Sequence, residues 1–342
     1  MRCLPPFVRI PLLVAGLALG CRPPASVADV RPGKDGLRGI AVSEGPLEAR
    51  LAPADEASLV LFYGTDEGGS LAPCGCTDSP RGGLPRAARY IEASRAAQPT
   101  VPSLILNAGG WSLGAVGMDG APRGDAPLAN RWMAEGMEAL GVDAANVGWG
   151  DMAGLVSLDE PPAFAVVSAN LHGEGVAGEL LHRIGDHDVL VTGIGPPGPP
   201  DVPIPGFSRE DELAALRARL AGARSRADLI VLLSYATPAA ARIAAEEGLV
   251  DVVIDANQHR FRDQPLRVGD AVWVRAYHQT QRLGELRIGL APEGQGPRIA
   301  WATDRKIALD EGLPEDPELR SLARQAEREV RKLQVALFGQ EL

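Results

Sequence analysis

Aromatic residues are scarce in this chain of 342 residues, at 4%, with five Trp, four Tyr and six Phe. Cations are outnumbered as well, with 34 Lys and Arg against 44 Asp and Glu and a formal net charge of −10. Phosphate backbones are bound by a concentrated surplus of Lys and Arg, so this balance argues against a nucleic-acid partner, and an anionic substrate would need a local metal or Arg cluster. The apolar run at residues 10–19 falls well short of the roughly 20 residues that span a bilayer as a helix. There is no Walker or C-x-x-C-H sequence, and the glycines of "GIGPPG" lack both the following helix and the spacing of a dinucleotide fingerprint. No internal repeat occurs, and no G-X-Y period that would indicate collagen. What is present is 45% hydrophobic residues, enough for one large domain or two ordinary ones, with 40 Gly and 29 Pro that fit a loop-rich α/β protein rather than a helical bundle.

Cysteine is limited to four positions, and their placement is informative. Arg2 and Arg9, the short apolar run and then Gly20 and Cys21 have the layout of a secretory signal. The A-L-G-C ending resembles a bacterial lipobox, with Ala18 where Leu is usual, so Cys21 is the expected lipidation site and the expected location is the cell envelope, anchored to a membrane. Cleavage removes Cys3 and lipidation consumes Cys21, which leaves Cys74 and Cys76 as C-G-C. A disulfide across one intervening residue closes too small a loop to stabilise much and is strained, hence readily reduced. The pair is therefore a candidate for thiol–disulfide exchange or soft-metal capture, against the alternative of a tight turn lock.

Residues 1–20 read as the signal, 21–56 as a Pro-rich tether without hydrophobic period, and 57–310 as the folded domain. Strands are expected at 58–63, 103–107, 144–147, 165–168, 189–193, 229–234 and 252–255, alternating with helices at 84–95, 126–140, 211–223 and 238–247. Segments 271–277 and 284–290 read as an antiparallel pair, so the sheet is expected to be mixed, and 196–205 as a long surface loop. Within 311–342, the spacing of Leu319, Leu322, Ala326, Val330, Leu333 and Leu337 predicts an amphipathic helix that packs on the sheet. His172, His182 and His187 are spaced so as to fall on different elements, which does not suit a metal cluster.

Several segments in order resemble the metallophosphoesterase domain of bacterial periplasmic 5′-nucleotidases, and among these the members in which C-G-C follows the first motif. "LVLFYGTDEGGSLAPCGC" is similar to the first strand and its D-x-H loop, with "GGLPRAARYI" as the following helix start. "LILNAGGWSLG" is similar to the second strand with its G-D turn, "MEALGVDAANVGWGDM" to the segment ending in G-N-H-[ED], and "FAVVSANL" to the next strand. "ADLIVLLSYA" is similar to the strand ending in a metal-binding His, and "LVDVVIDANQHR" to the one ending in G-H-x-H. The resemblance implies an α/β calcineurin-like fold, a two-sheet sandwich with flanking helices, and a two-metal phosphoesterase centre whose ligands sit at these motifs.

Most of those ligand positions are vacated. Asp66 keeps the first Asp, but its His partner falls on Gly68 and the bridging Asp on Gly110. Asn-His becomes Trp149 and Gly150 before Asp151, the later His falls on Tyr235, and G-H-x-H becomes Asn257 and His259. Two dications held close together need shared negative charge, and Gly110 offers none. A binuclear centre is therefore not expected; a single Mn²⁺ or Zn²⁺ at Asp66, His259 and one further carboxylate is the remaining metal reading, with Glu67, Asp151, Asp255 and His278 as nearby substitutes. The 5′-nucleotidases carry a separate nucleobase-binding domain of which these 342 residues offer no counterpart, so nucleotide specificity is not expected. The expectation is a degenerate, non-hydrolytic envelope lipoprotein with a thiol site at Cys74 and Cys76, activated by a cation such as His259, Arg81 or Arg86 and acting on a disulfide or oxidised sulfur. The alternatives are a hydrolase of small phosphoesters with a rearranged metal site, and a non-catalytic envelope binding protein.

Overall fold

The computed structural model describes residues 35–42, 45–73, 80–115, 123–196, 206–235, 237–256, 264–292 and 298–339. In chain order the first half comprises β1 (Leu37–Val42), α1 (Leu47–Arg50), β2 (Leu59–Gly64), α2 (Leu84–Ala97), β3 (Ser103–Asn107), α3 (Ala126–Leu140), β4 (Ala144–Asn146) and α4 (Trp149–Val156). There follow β5 (Ala165–Val167), β6 (Leu171–His172), β7 (Val176–Ala177), β8 (Leu180–Ile184), β9 (His187–Ile194), β10 (Ser208–Arg209) and α5 (Glu212–Leu220). The remainder is β11 (Leu229–Ser234), α6 (Pro238–Glu246), β12 (Val252–Asp255), β13 (Leu266–Val268), β14 (Ala271–Arg275), β15 (Arg282–Leu290), β16 (Ile299–Ala308) and α7 (Pro317–Phe338).

Strands buried on both faces read as continuous apolar runs, and β2 shows why. Leu59, Leu61 and Tyr63 point into a core shared with β9, β11, β12 and β14, while Val60 and Phe62 point the other way onto α2 and α3. The result is an α/β sandwich of two mixed sheets, in the orders β1-β16-β15-β2-β3-β4-β5-β7 and β13-β14-β12-β11-β9-β8. Helices α2 and α3 cover the first sheet; α5 and α6 cover the second through Leu216, Leu220, Ala241 and Ala244. The parallel strands β2, β3 and β4 of one sheet and β9, β11 and β12 of the other carry at their carboxyl ends the loops expected to bear function.

Three sequence-based expectations need correction. Residues 35–56 are not a tether: β1 pairs in parallel with β16 from Leu37↔Ala302 to Val42↔Ile307. Its short LRGIAV segment has no helical or long alternating signal, and becomes a strand because β16 offers it an edge. Arg50 is then buried beneath it, donating to the carbonyls of Gly45 and Ala308 and to Asp310 Oδ1, each at 2.7 Å. Asp55 clamps Arg287 with 2.6 and 2.7 Å hydrogen bonds, and Arg287 in turn pairs with buried Glu285.

The second correction concerns β14 and β15, which are not an antiparallel pair. β14 lies between β12 and β13, whereas β15 runs antiparallel to β2 and β16 in the other sheet. The chain changes sheets between them through Gln279 and Thr280, whose φ of 53° and 39° are left-handed. Third, α7 packs on α2 and α3 rather than on the sheet, with Ala323, Ala326, Leu322 and Val330 against the outer core. Asp316 caps it by accepting from Leu319 N at 2.9 Å. The loop at 196–205 lies outside the described residues from 197 on.

Replacing Arg50 with Met keeps much of the volume and leaves the buried Ala308 carbonyl without its donor. The expected loss is about 2–4 kcal/mol in urea denaturation at unchanged m value. An Arg50→Met variant as stable as the parent would return this segment to the status of a tether.

Candidate functional site

After β2 the chain turns sharply at Asp66, whose φ of 57° is left-handed. Its N–H donates to Gly109 O at 3.1 Å, and Gly68 and Gly69 donate to Gly110 O and Trp111 O at 3.0 and 2.8 Å. The loops after β2 and β3 are thereby zipped together. Asn107 closes the β3 turn by accepting from Gly109 N at 2.8 Å while its amide donates to Glu67 Oε2 at 2.8 Å. Thr280, from the crossover before β15, donates to the other Glu67 oxygen. Glu67 is buried, and burial pushes its carboxyl up to about 7 against the lowering effect of these two donors.

From the next strand, Asn146 reaches across the sandwich and donates to Ile194 O at 2.9 Å and Leu233 O at 3.1 Å, fixing β4 to β9 and β11. At the start of α4, Asp151 is fully buried and accepts from three backbone N–H groups: Gly110 and Gly148 at 2.6 Å and Ser112 at 2.8 Å. Burial lifts it to about 6 even so. Asp255 at the end of β12 accepts from Trp273 Nε1 at 3.2 Å and lies 3.3 Å from Arg275.

Tyr235, the residue after β11, decides the character of the site. Its ring lies on a bed of glycines: a Cβ on Gly109, Gly110 or Gly148 would stand 2.9–3.0 Å from ring carbons. Its hydroxyl donates to Asp66 Oδ1 at 3.0 Å. Burial, then the charges of Asp66 and Asp151, push the phenol well above its ordinary value, so it is a neutral donor. A Cβ on Gly110 would also run into Asp66 Oδ1, and Gly110 has φ of +79°, so the bridging-Asp position cannot accept a side chain while Tyr235 is in place.

No family model and no curated protein sequence matches the chain. Solved structures do. Sulfate thiohydrolase SoxB of Thermus thermophilus is 17% identical with a TM-score of 0.66, over 81% of this chain and 62% of that one. The 5′-nucleotidase precursor of Thermus thermophilus is 19% identical with a TM-score of 0.62, over 82% and 59%. Calcineurin-like phosphoesterase YfkN of Bacillus subtilis is 14% identical with a TM-score of 0.61, over 81% and 98%. The chain has the calcineurin-like phosphoesterase fold. It spans about three fifths of the length of the first two structures.

That fold implies a two-metal centre, and the described residues do not fit one. Asp66 is bonded to Tyr235, Asp151 faces backbone donors, Glu67 holds Thr280 and Asn107, and Asp255 faces Arg275 and Trp273. Among the described residues no three His, Cys, Asp or Glu converge to hold a metal. The structure thus brings Asp66, Glu67 and Asp151 together but assigns each to protein donors. His172, His182 and His187 fall on β6, β8 and β9. Cys21, Cys74, Cys76, Asn257 and His259 lie outside the described residues, and of His278 only the backbone is described. The flanks of the C-G-C segment meet: Leu84 N donates to Leu71 O at 2.9 Å. Sequence reasoning treated Tyr235 only as a lost ligand; the signal for its role was the pairing of a large residue there with Gly at 109, 110 and 148.

Two outcomes follow. Gly110→Asp should cost about 3 kcal/mol or more in denaturant melts, and Tyr235→His in the same chain should recover part of it; full tolerance of the single change would mean the ring does not hold this position. For pH, Glu67 has a folded value near 7 against an ordinary 4.5, so the folded state holds the proton more tightly. The contribution of Glu67 to stability is then greatest below about 4.5, falls as pH rises to about 7, and levels off; Asp151 adds to the fall up to about 6. Urea midpoints across this range should show a shallower slope in Glu67→Gln, and an unchanged slope would contradict the burial argument.

Proposed function

We propose that this chain is a degenerate phosphoesterase-fold protein, without two-metal hydrolysis, that works in the cell envelope as a thiol protein through Cys74 and Cys76. The observation that carries the first part is the Tyr235 hydroxyl on Asp66, with the ring seated where the bridging carboxylate would stand. The second part rests on sequence: the C-G-C pair follows Asp66 in the loop after β2, and an exported chain meets an oxidising compartment. One thiolate attacks a substrate disulfide, forms a mixed disulfide and expels the first sulfur as thiolate. The other cysteine then closes the C-G-C disulfide and releases the second, so two electrons pass to the substrate, a disulfide that is a stronger oxidant than the strained C-G-C bond, and the protein is oxidised. One solved structure of this fold bears the name sulfate thiohydrolase, which lends support to a sulfur substrate in this architecture. Cys21 supplies the membrane anchor in this reading.

The test is elemental analysis of residues 22–342 after loading with Mn²⁺ or Zn²⁺ and dialysis, beside a phosphomonoester assay and a disulfide-reduction assay. Retained metal far below one per chain, no hydrolysis, and disulfide reduction lost in Cys74→Ser and Cys76→Ser are expected. Stoichiometric metal that disappears in Asp66→Ala with His259→Ala would revive a rearranged phosphoesterase site. Absence of both activities would leave an envelope binding protein.

A further inference from the structure

The solvent face of α7 runs against the charge of the whole chain. Leu319, Ala323 and Ala326 are buried, which fixes the face turned to α2 and α3. Residues 320, 324, 328 and 331 recur at intervals of three and four and therefore share the opposite face, joined by 332. All five are cationic and exposed: Arg320, Arg324, Arg328, Arg331 and Lys332. In a chain of net charge −10, these five cations form a basic stripe over residues 320–332 of a 22-residue helix. Among the carboxylates of the helix, Glu329 pairs with Arg131, and Glu327, one turn from Arg324 and Arg331, lines the cavity of about 220 Å³ beside Leu71 and Trp132. Val335 is exposed on the same face as the cations.

We propose that the outer face of α7 docks on an anionic membrane surface, its cations among the lipid phosphates. Charge complementarity selects this occupant, and the proposal rests on the Cys21 anchoring read above for the nearness of a membrane. Because residues 37–42 are a strand of the sheet and not part of a tether, at most sixteen links separate Cys21 from the folded domain. Fully extended, they reach at most about 55 Å. That is short enough to hold the domain beside the bilayer, where weak attraction between α7 and headgroups acts at high effective concentration.

The test uses residues 22–342, which contain the whole of the compact unit Pro32–Leu342 together with ten preceding residues and no acyl group. Sedimentation with vesicles of phosphatidylglycerol and phosphatidylcholine in equal parts should carry the protein down, and vesicles of phosphatidylcholine alone should not. Binding should weaken as salt rises and fall at least about tenfold in Arg324→Glu with Arg328→Glu. The equally charged control, Arg183→Glu with Arg242→Glu on the second-sheet side, should bind as the parent does. Circular dichroism and urea melts establish that both variants are folded. Equal binding by the stripe variant, equal binding to uncharged vesicles, or no binding by the parent would each overturn the proposal. Since acylation is absent from this assay, such a failure speaks against the stripe alone; the mass of the full chain made in bacteria reports on Cys21 separately.

Discussion

Burying a carboxylate requires that its charge be met, and the loops at the carboxyl end of the first sheet are arranged around that requirement. Glu67 and Asp151 are buried on either side of Asp66. A metal-dependent phosphoesterase meets such charge with two dications. Here the partners are an amide, two hydroxyls and three backbone N–H groups, from Asn107, Thr280, Tyr235, Gly110, Ser112 and Gly148. The zipping of the β2 and β3 loops, the positive φ at Gly109 and Gly110 and the close seat of the Tyr235 ring are geometric consequences of directing those donors inward.

The substitutions at the site are mutually dependent. A large ring at position 235 is compatible with glycine at 109, 110 and 148 and with little else, since each Cβ would press on the ring. Restoring a single ligand of a metal centre therefore introduces a clash before it introduces a charge. The sandwich tolerates this exchange because its core lies below the loops, in side chains such as Leu61, Val231 and Ile254 that face one another between the sheets. Fold and chemistry are separable here, as they are in many α/β architectures.

Much of the fold was legible because its strands are apolar on both faces and its helices carry a clean period. The segments at 103–107, 229–234 and 252–255 emerge as β3, β11 and β12 with the expected bounds, and 126–140 as α3. The failures share one cause. β1 exists through pairing with a strand some 265 residues later, as in Leu37↔Ala302. β14 and β15 differ in which sheet they join, and neither local composition nor spacing encodes that choice. At the site, the positions of Asp66, Gly110, Asp151 and Tyr235 within the motifs were readable from the sequence, whereas the hydrogen bond from Tyr235 joins residues 169 apart.

By itself the sequence determined the alternation of elements, the resemblance to the phosphoesterase architecture and the presence of the C-G-C pair, because each is a matter of residue type and short-range spacing. Tertiary structure alone decided that residues 37–42 join the first sheet, which face of α7 is left to solvent, and which protein donors meet Asp66, Glu67 and Asp151. Those are set by which distant surfaces meet, and by how much room a glycine leaves when a tyrosine from another strand arrives above it.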